Sequence, residues 1–329
     1  MDASKPGTPT SPRGMGEILG VLVAVAVVSL SVAIAAWILQ TDDGVESTPP
    51  PAETSVITSG PTATSPLLQD PEALMLARSS GPVLVGLAAA SGGPVDVFVF
   101  EEEERALRNG VVSVSVDGSP ARVLERGTCG KGCFRLDAVA LSGSPLELEV
   151  AVERPDEGIE TVDFRLPALM PPSGANLFER VRRTMAGLRS VRIDETLSTG
   201  LASVRSEWEI LAPDRVSLES SDGGKTILIG DRRWDVIDGD WLESPGELEQ
   251  QPWYPFEDGR NARILGERTF GGVEVTRLAV FTSEPELWWF VLDVVPDGRV
   301  LRERMLAPSH FMVDVFSRFN EPVSIEAPS

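Results

Sequence analysis

The sequence predicts a mainly β protein with one transmembrane helix, an immunoglobulin-like β-sandwich and a curved antiparallel sheet with a packed helix. Three observations support this fold class. An uncharged apolar stretch without proline lies at Ile18–Leu39. After it come many short alternating or β-branched runs, separated by turn signals rich in Gly, Pro and Asp. A single stretch near residue 180 has the spacing of an amphipathic helix instead.

The apolar stretch Ile18–Leu39 is long enough to cross a bilayer. As a helix it would measure about 33 Å, against a hydrocarbon core of about 30 Å. Lys5 and Arg13 precede it and acidic residues follow it, which predicts a cytoplasmic N-terminus. Cleavage as a signal peptide after Ala35 is the alternative. Both interpretations place the remainder of the chain outside the cytoplasm.

Composition shifts divide the chain into five predicted segments. The apolar stretch is followed by a region that is rich in Pro, Ser and Thr and has no apolar periodicity. This composition is typical of an extended stalk. Pro171 and Pro172 interrupt strand structure and mark the last boundary. The segments are a cytoplasmic tail (1–17), the transmembrane helix (18–39), the stalk (40–75), the sandwich (76–170) and the curved-sheet domain (171–329).

The charge of the chain excludes one class of partner. Its formal net charge is −21 at pH 7. Such an acidic surface repels nucleic acid, so no nucleic-acid partner is expected. No glycine-rich phosphate loop or metalloprotease motif is present, and no cofactor is predicted.

The two cysteines, Cys129 and Cys133, lie close together in a Gly-rich segment. Outside the cytoplasm such a pair is expected to form a small disulfide loop, to which Gly130 and Gly132 give backbone freedom. A redox or metal site and a pair of free thiols are the alternatives.

Two sets of strands follow the stalk. About seven short runs between residues 76 and 168 fit an immunoglobulin-like sandwich. In the second half, Leu177, Val181, Met185 and Leu188 repeat at helical spacing, and roughly ten antiparallel runs come after them. A single sheet of that size must cover its inner face with the helix, with loops or with a ligand.

The second half resembles a known group of bacterial envelope proteins. The resemblance is carried by Ala212–Val216, Ile227–Trp234, Gly239–Trp241, Met305–Met312 and Phe319–Pro322. These runs are similar to those of the LolA-like half-barrels of lipoprotein carriers and of LppX/LprG-type and RseB-type proteins. Similar runs follow a small sandwich in extracytoplasmic tails of bacterial membrane proteins with copper-resistance-type domains. The resemblance implies a cavity between sheet and helix that takes acyl chains or lipoproteins, or a sensor surface.

Aromatic side chains of the second half are the candidates for lining such a cavity. The segment Pro252–Phe256 would form a lid over it, and filling of an ordinary core is the alternative. The candidates are Trp208, Trp234, Trp241, Trp253, Tyr254, Phe256, Trp288 and Trp289.

His310, the only histidine, gives a weaker hypothesis of copper handling together with Met305 and Met312. A packing role is the alternative. Ser309 precedes it, but adjacent side chains of a strand point apart, so no Ser-His catalytic pair is expected.

The predicted protein is therefore a non-enzymatic, membrane-anchored binding protein of the bacterial cell envelope. Its expected partners are the membrane, through Ile18–Leu39, and a lipid or an acylated partner such as a lipoprotein. An envelope protein-interaction or stress-sensing role without a ligand remains the alternative.

Overall fold

The computed structural model describes most of the chain beyond the predicted stalk. All of these residues belong to one compact unit, so the predicted domain limits stay predictions. Ile18–Leu39 lies outside them. Among the described residues, no helix is both long and apolar enough to span a bilayer. The described ranges are 65–101, 105–127, 129–137, 140–155, 157–248, 252–284 and 286–328.

The first half of this unit consists of two antiparallel sheets that pack face to face. Buried Val, Leu and Phe side chains from both sheets form one shared core, as alternating strands dictate. The immunoglobulin-like assignment of this sandwich remains a prediction. One sheet contains β1 (Leu74–Ser80), β2 (Val83–Ala89), β3 (Val95–Glu101), β4 (Arg105–Ala106) and β7 (Cys133–Leu136); the other contains β5 (Val111–Val116), β6 (Arg122–Val123), β8 (Leu146–Arg154) and β9 (Gly158–Leu166).

The last residues of the predicted stalk, from Ser65 onward, are folded against the rest of the unit. Pro66–Gln69 forms a short helix, α1, capped by Ser65, whose hydroxyl also donates to buried Asp96. Arg263 donates to Glu72 at 2.8 Å. Proline and serine in this segment therefore cap and start an element instead of keeping it extended.

The second half is one open sheet of eleven antiparallel strands in which the first and last strands in sequence pair at the centre. Ten strands were expected; the additional one is the edge strand Asp240–Pro245. The order across the sheet is β15 (Asp240–Pro245), β14 (Arg232–Ile237), β13 (Lys225–Ile229), β12 (Arg215–Ser220), β11 (Ser203–Leu211), β10 (Ser190–Ser198), β20 (Phe311–Ser317), β19 (Val300–Leu306), β18 (Trp288–Val294), β17 (Val273–Thr282) and β16 (Arg260–Phe270).

One face of this sheet, here called the helix face, carries helix α2 (Ala175–Ala186). The helix buries Phe178, Val181 and Met185, a stripe with the expected spacing. The backbone of Gly174, just before the helix, lies against the Leu278 side chain of β17, where an added Cβ would be 2.2 Å from it. This contact places the helix over the β16–β18 end of the sheet.

The opposite face, here called the sandwich face, packs against the sheet formed by β1–β4 and β7. Trp289 and Phe281 meet Phe98, with ring centroids 6.5 Å apart for Phe98 and Trp289. The strand β2 presents Gly86 to the Trp289 ring. A glycine is required there because the indole occupies the space of any Cβ.

Candidate functional site

Three acidic side chains form a continuous row across the middle of the helix face. The pairing register sets Glu195 of β10 opposite Asp314 of β20, and Asp314 opposite Glu303 of β19. Directly opposed residues in an antiparallel pair have Cβ atoms about 5 Å apart. The row continues with Ser206 beside Glu195 and with Leu292 beside Glu303. We call Glu195, Asp314 and Glu303 the acid row.

Two members of the acid row are fully buried, which is unusual for carboxyl groups, and Glu195 is half-buried. Glu303 is 0% exposed and Asp314 is 1% exposed. Among the described residues, neither carboxyl oxygen of Glu303 has a hydrogen-bond partner, and Oδ1 of Asp314 lacks one as well. Buried polar groups are normally hydrogen-bonded, so these oxygens mark a place where a partner is needed.

Burial changes the protonation of these groups. Burial, together with the neighbouring charges of Asp314 and Glu195, holds the pKa of Glu303 well above its usual range. Burial and Glu195 do the same to the pKa of Asp314. Burial raises the pKa of Glu195 to about 7, against the lowering influence of Trp208 and Ser206. Near neutral pH the row therefore consists largely of neutral acids, which can donate hydrogen bonds.

Trp208 adds a further polar group to this region. It lies on β11 opposite Ile193, so its side chain shares the helix face with Glu195. Its indole N–H is close enough to Glu195 to lower the pKa of that carboxyl. Its geometry nevertheless falls short of a hydrogen bond, and the buried nitrogen finds no acceptor in the described part of the chain. A donor without an acceptor thus lies beside acids without partners.

Apolar side chains surround the acid row on the same face. Ile193 and Leu197 flank Glu195, and Met312 and Phe316 flank Asp314. All four are buried. The site is an apolar surface with a short polar line across it, the arrangement expected of a site for a mainly hydrophobic ligand.

The structure brings together five of the eight predicted aromatic residues on the helix-face side. Trp208 and Trp288 point to this face from their strands. Trp253, Tyr254 and Phe256 come from the segment between β15 and β16 and are buried. The Phe256 ring lies 6.4 Å from Phe178 of the helix and 6.0 Å from Phe290 of the sheet. Segment 252–256 thus fills the space under the helix, as the alternative to a lid describes.

The other three aromatic residues are not part of this group. Trp234 and Trp241 project from β14 and β15 to the opposite face, by the alternation of side chains along paired strands. Trp289 lies on the sandwich face against Phe281, with ring centroids 5.5 Å apart. Because successive side chains of a strand point to opposite faces, Trp289 and its neighbour Trp288 lie on different faces of the sheet.

The residues proposed for copper lie on β19, on β20 and in the turn before β20. Met305 and Met312 are cross-strand partners. His310 lies in the turn before β20, and its Nδ1 is 2.8 Å from the Ser309 hydroxyl. The expectation that these two side chains point apart was therefore wrong, because they occupy a turn. Ser309 also donates to Glu286, so the carboxylate contacts the serine and not the imidazole, unlike a Ser-His-Asp triad.

Burial lowers the pKa of His310 to about 4, so its ring is neutral at neutral pH. Its Nδ1 contacts the Ser309 hydroxyl and its carbonyl accepts from the backbone N–H of Ala307, and the copper hypothesis remains a prediction. The disulfide prediction is confirmed: Cys129 and Cys133 are joined, and both are buried among residues of the sandwich face. Asp96 approaches both sulfur atoms, but bonded sulfurs cannot be thiolate ligands.

A shallow cleft of about 250 Å³, which includes space open to solvent, lies elsewhere, between β10, β11 and the C-terminal segment. It contains no member of the acid row. Its lining is mixed in polarity: Ser190, Val191, Arg192, Glu209, Arg318, Glu321, Pro322 and Val323.

Sequence reasoning missed the acid row, although a signal was present. Glu303 lies two residues from Leu301 and from Met305, and Asp314 lies two residues from Met312 and from Phe316, so each acid shares a strand face with apolar residues. A carboxyl group in the apolar phase of a strand is predicted to face the core. Applying the period of two to every charged residue would have identified all three acids.

No protein-family model matches the chain, and no curated protein matches it. Among solved structures it is similar to LprF from Mycobacterium bovis, at 13% identity and a TM-score of 0.39 over 48% of this chain and 99% of that one. It is similar to the lipoprotein LppX of Mycobacterium tuberculosis at 14% identity and a TM-score of 0.36, over 47% and 100%. A DUF1329 family protein from Desulfovibrio piger is similar at 10% identity and a TM-score of 0.23, over 46% of this chain and 94% of that one. TM-scores this low do not establish a shared fold.

Proposed function

We propose that this chain is an extracytoplasmic binding protein that holds an amphipathic, mainly hydrophobic ligand against the helix face of its eleven-stranded sheet. The disulfide supports a location outside the reducing cytoplasm. Anchoring through Ile18–Leu39 is part of the proposal.

The observation that carries the proposal is the fully buried Glu303, whose two carboxyl oxygens have no partner among the described residues. An unpaired buried polar group costs about 1–3 kcal/mol. A ligand that brings a hydrogen-bonding group to the acid row would remove that cost. The apolar residues on either side would bury its hydrocarbon part.

The protonation of the acid row indicates the chemistry of that group. Carboxyl groups with raised pKa values are neutral donors near pH 7, so they suit an uncharged acceptor such as an ester or a hydroxyl. An acylglycerol or the acylated end of a lipoprotein combines such groups with hydrocarbon chains. The proposed ligand class is therefore an acylated molecule with ester oxygens near its polar end.

The test uses the full chain purified in a mild non-ionic detergent. Native mass spectrometry and organic extraction report any lipid that copurifies, and a fluorescent monoacylglycerol serves as the binding probe. Replacing Glu303 with Leu should weaken probe binding by about tenfold or more, since the lost hydrogen bond is worth 1–3 kcal/mol.

The matched control is Glu267→Leu, an exposed glutamate of β16, which should leave binding unchanged. No copurified lipid and no saturable binding of the probe would contradict the proposed function. Equal weakening by both variants would contradict the role of the acid row.

A further inference from the structure

The sandwich face of the large sheet carries a group of arginines, on the side opposite the acid row. Strand β1 of the sandwich crosses β16, β17, β18 and β19 on this face. Arginines from β1, β16, β17 and β19 meet along that crossing. We call this group the arginine seam, and it consists of Arg78, Arg268, Arg277, Arg302 and Arg304.

The pairing register places the centre of the seam. Arg277 of β17 is opposite Asp293 of β18, and Asp293 is opposite Arg302 of β19. Arg304 lies two residues further along β19, so it shares this face. Arg78 of β1 approaches from the sandwich and stacks over Phe164 at 5.9 Å.

The seam contains few carboxylates for its guanidinium groups, and the one at its centre is only half used: Oδ1 of Asp293 is buried without a hydrogen-bond partner among the described residues. Asp293, which is 1% exposed, accepts from Arg268 and, at 3.0 Å, from Arg302. Within the described ranges Arg78, Arg277 and Arg304 form no ion pair. The Nε atoms of Arg268 and Arg277 are buried and have no hydrogen-bond partner there. Of the five guanidinium groups, two therefore pair with one carboxylate, and the other three have no ion pair in the described ranges.

The mutual repulsion of these cations lowers the pKa values of Arg277 and Arg304, although both stay protonated at neutral pH. Burial lowers the pKa of Arg277, and Arg268, Arg302 and Arg78 lower it further, while Asp293 opposes them. Arg304 is exposed as a whole residue, but partial desolvation of its guanidinium group, together with four neighbouring arginines, lowers its pKa, and no carboxylate opposes them. Such a concentration of positive charge stands out in a chain whose net charge is −21.

We propose that the arginine seam is a binding site for a phosphate-bearing anion. The planar fork of arginine matches the oxygens of a phosphate group, and arginines on neighbouring strands of one sheet face can contact the same tetrahedral anion. A bound phosphate would supply the acceptors that the Nε atoms of Arg268 and Arg277 lack. It would also relieve the repulsion between neighbouring arginines. The same chemistry is offered by free phosphate and by the headgroup of a phospholipid.

A structural role is the competing explanation. Arg268 and Arg302 stack over the Phe270 ring at 5.7 Å and 5.2 Å, so their side chains contribute to packing. If the seam has only a packing role, phosphate should not bind to it. A phosphate-binding measurement therefore distinguishes the two explanations.

The test measures binding to the full chain in a non-ionic detergent. Two probes are titrated by calorimetry: inorganic phosphate, and dihexanoyl phosphatidic acid below its micelle concentration. Saturable binding of either probe, together with a higher Tm in its presence, is the expected result. Equal affinity for both probes would show that a free phosphate anion is enough for binding. Binding of the lipid probe alone would show that the site takes a phospholipid headgroup.

Three variants localise the binding. Arg277→Gln and the exposed Arg304→Gln should each weaken binding by about tenfold or more, while Asp293→Asn should tighten it severalfold because the competing internal anion is removed. The matched control is Arg232→Gln, an arginine of the β14–β15 hairpin that pairs with Glu243. It should leave both affinities unchanged.

Two results would overturn the proposal. One is the absence of saturable binding for both probes. The other is weakening by Arg232→Gln as large as that caused by Arg304→Gln, which would mean that only general electrostatics is involved. Neither result bears on the acid row, which lies on the other face of the sheet.

Discussion

Single residues of the acid row break the rule that charged side chains lie at the surface, and the alternation of strands explains how. Glu195, Asp314 and Glu303 each occupy the inward phase of a strand whose other inward residues are apolar. Their raised pKa values follow from burial and from one another. A residue-scale consequence is a specific dependence of stability on pH.

Stability should fall as pH rises through the range in which the acid row ionises. The folded state holds the proton of Glu195 up to about pH 7, and burial keeps the pKa values of Glu303 and Asp314 well above their usual range, whereas the unfolded chain releases these protons at the ordinary values of Glu and Asp, about pH 4. The native state therefore binds more protons over that interval, so the free energy of unfolding decreases with pH. Each unit of pKa difference is worth about 1.4 kcal/mol.

Glu303→Gln should flatten this dependence and make the protein more stable than the wild type at pH 8, as measured by urea denaturation between pH 7 and 9. Above pH 7, His310 is neutral in both states and does not interfere. The exposed Glu267→Gln variant should follow the wild-type curve. Parallel curves for Glu303→Gln and the wild type would show that Glu303 is charged in the folded protein.

At the scale of elements, the segment between β15 and β16 connects the two edges of the open sheet and fills the space under helix α2. The indole N–H of Trp253 donates to the Met185 carbonyl at 3.0 Å, near the end of that helix. Helix ends leave carbonyls without intrahelical partners, so this bond has a clear role. The aromatic residues of this segment therefore join helix to sheet.

Trp253→Ala should destabilise the fold by about 3–5 kcal/mol, because it removes a fully buried ring together with its hydrogen bond to the Met185 carbonyl, which then keeps the backbone N–H of Leu188 as a donor. The measurement is the midpoint of chemical unfolding. Trp241→Ala, at the less buried edge strand β15, is the control and should cost less than about 1 kcal/mol. A small effect of Trp253→Ala on stability, combined with a large effect on probe binding, would favour a movable lid over a packed core.

At the scale of the whole molecule, the sandwich and the large sheet are held together by a mainly apolar contact. Trp289 and Phe281 of the large sheet pack with Phe98, and the disulfide lies in the same buried cluster. Such a contact should make the two halves unfold together.

Gly86→Ala should uncouple the two halves. A Cβ at position 86 would lie 2.3 Å from the Trp289 ring, which is rigid and cannot move aside without a shift of the strands. Differential scanning calorimetry should then show two transitions in place of one. Gly93→Ala is the control, since its Cβ would have ordinary contacts at 3.6 Å. A single transition at the wild-type temperature for Gly86→Ala would mean that this contact does not couple the halves.

The sequence by itself determined the mainly β fold, the short disulfide loop, the amphipathic helix and most of the strands. These features depend on neighbours within a few residues, on the periods of 2 and 3.6 and on turn residues, so local chemistry is sufficient. The eleventh strand, Asp240–Pro245, was missed because its exposed edge position gives a weak alternating pattern.

Only the tertiary structure decided which residues meet. Trp288 and Trp289 are adjacent in sequence but belong to opposite faces, and Glu195 and Asp314 are far apart in sequence but opposite each other in register. The pairing of β10 with β20 creates the acid row, and the crossing of β1 over β17 and β19 creates the arginine seam. Both sites arise from long-range pairing, which is selected by the total burial of the sheet faces; the alternation within one strand can show that a charged residue faces inward, but not which residues of other strands it meets.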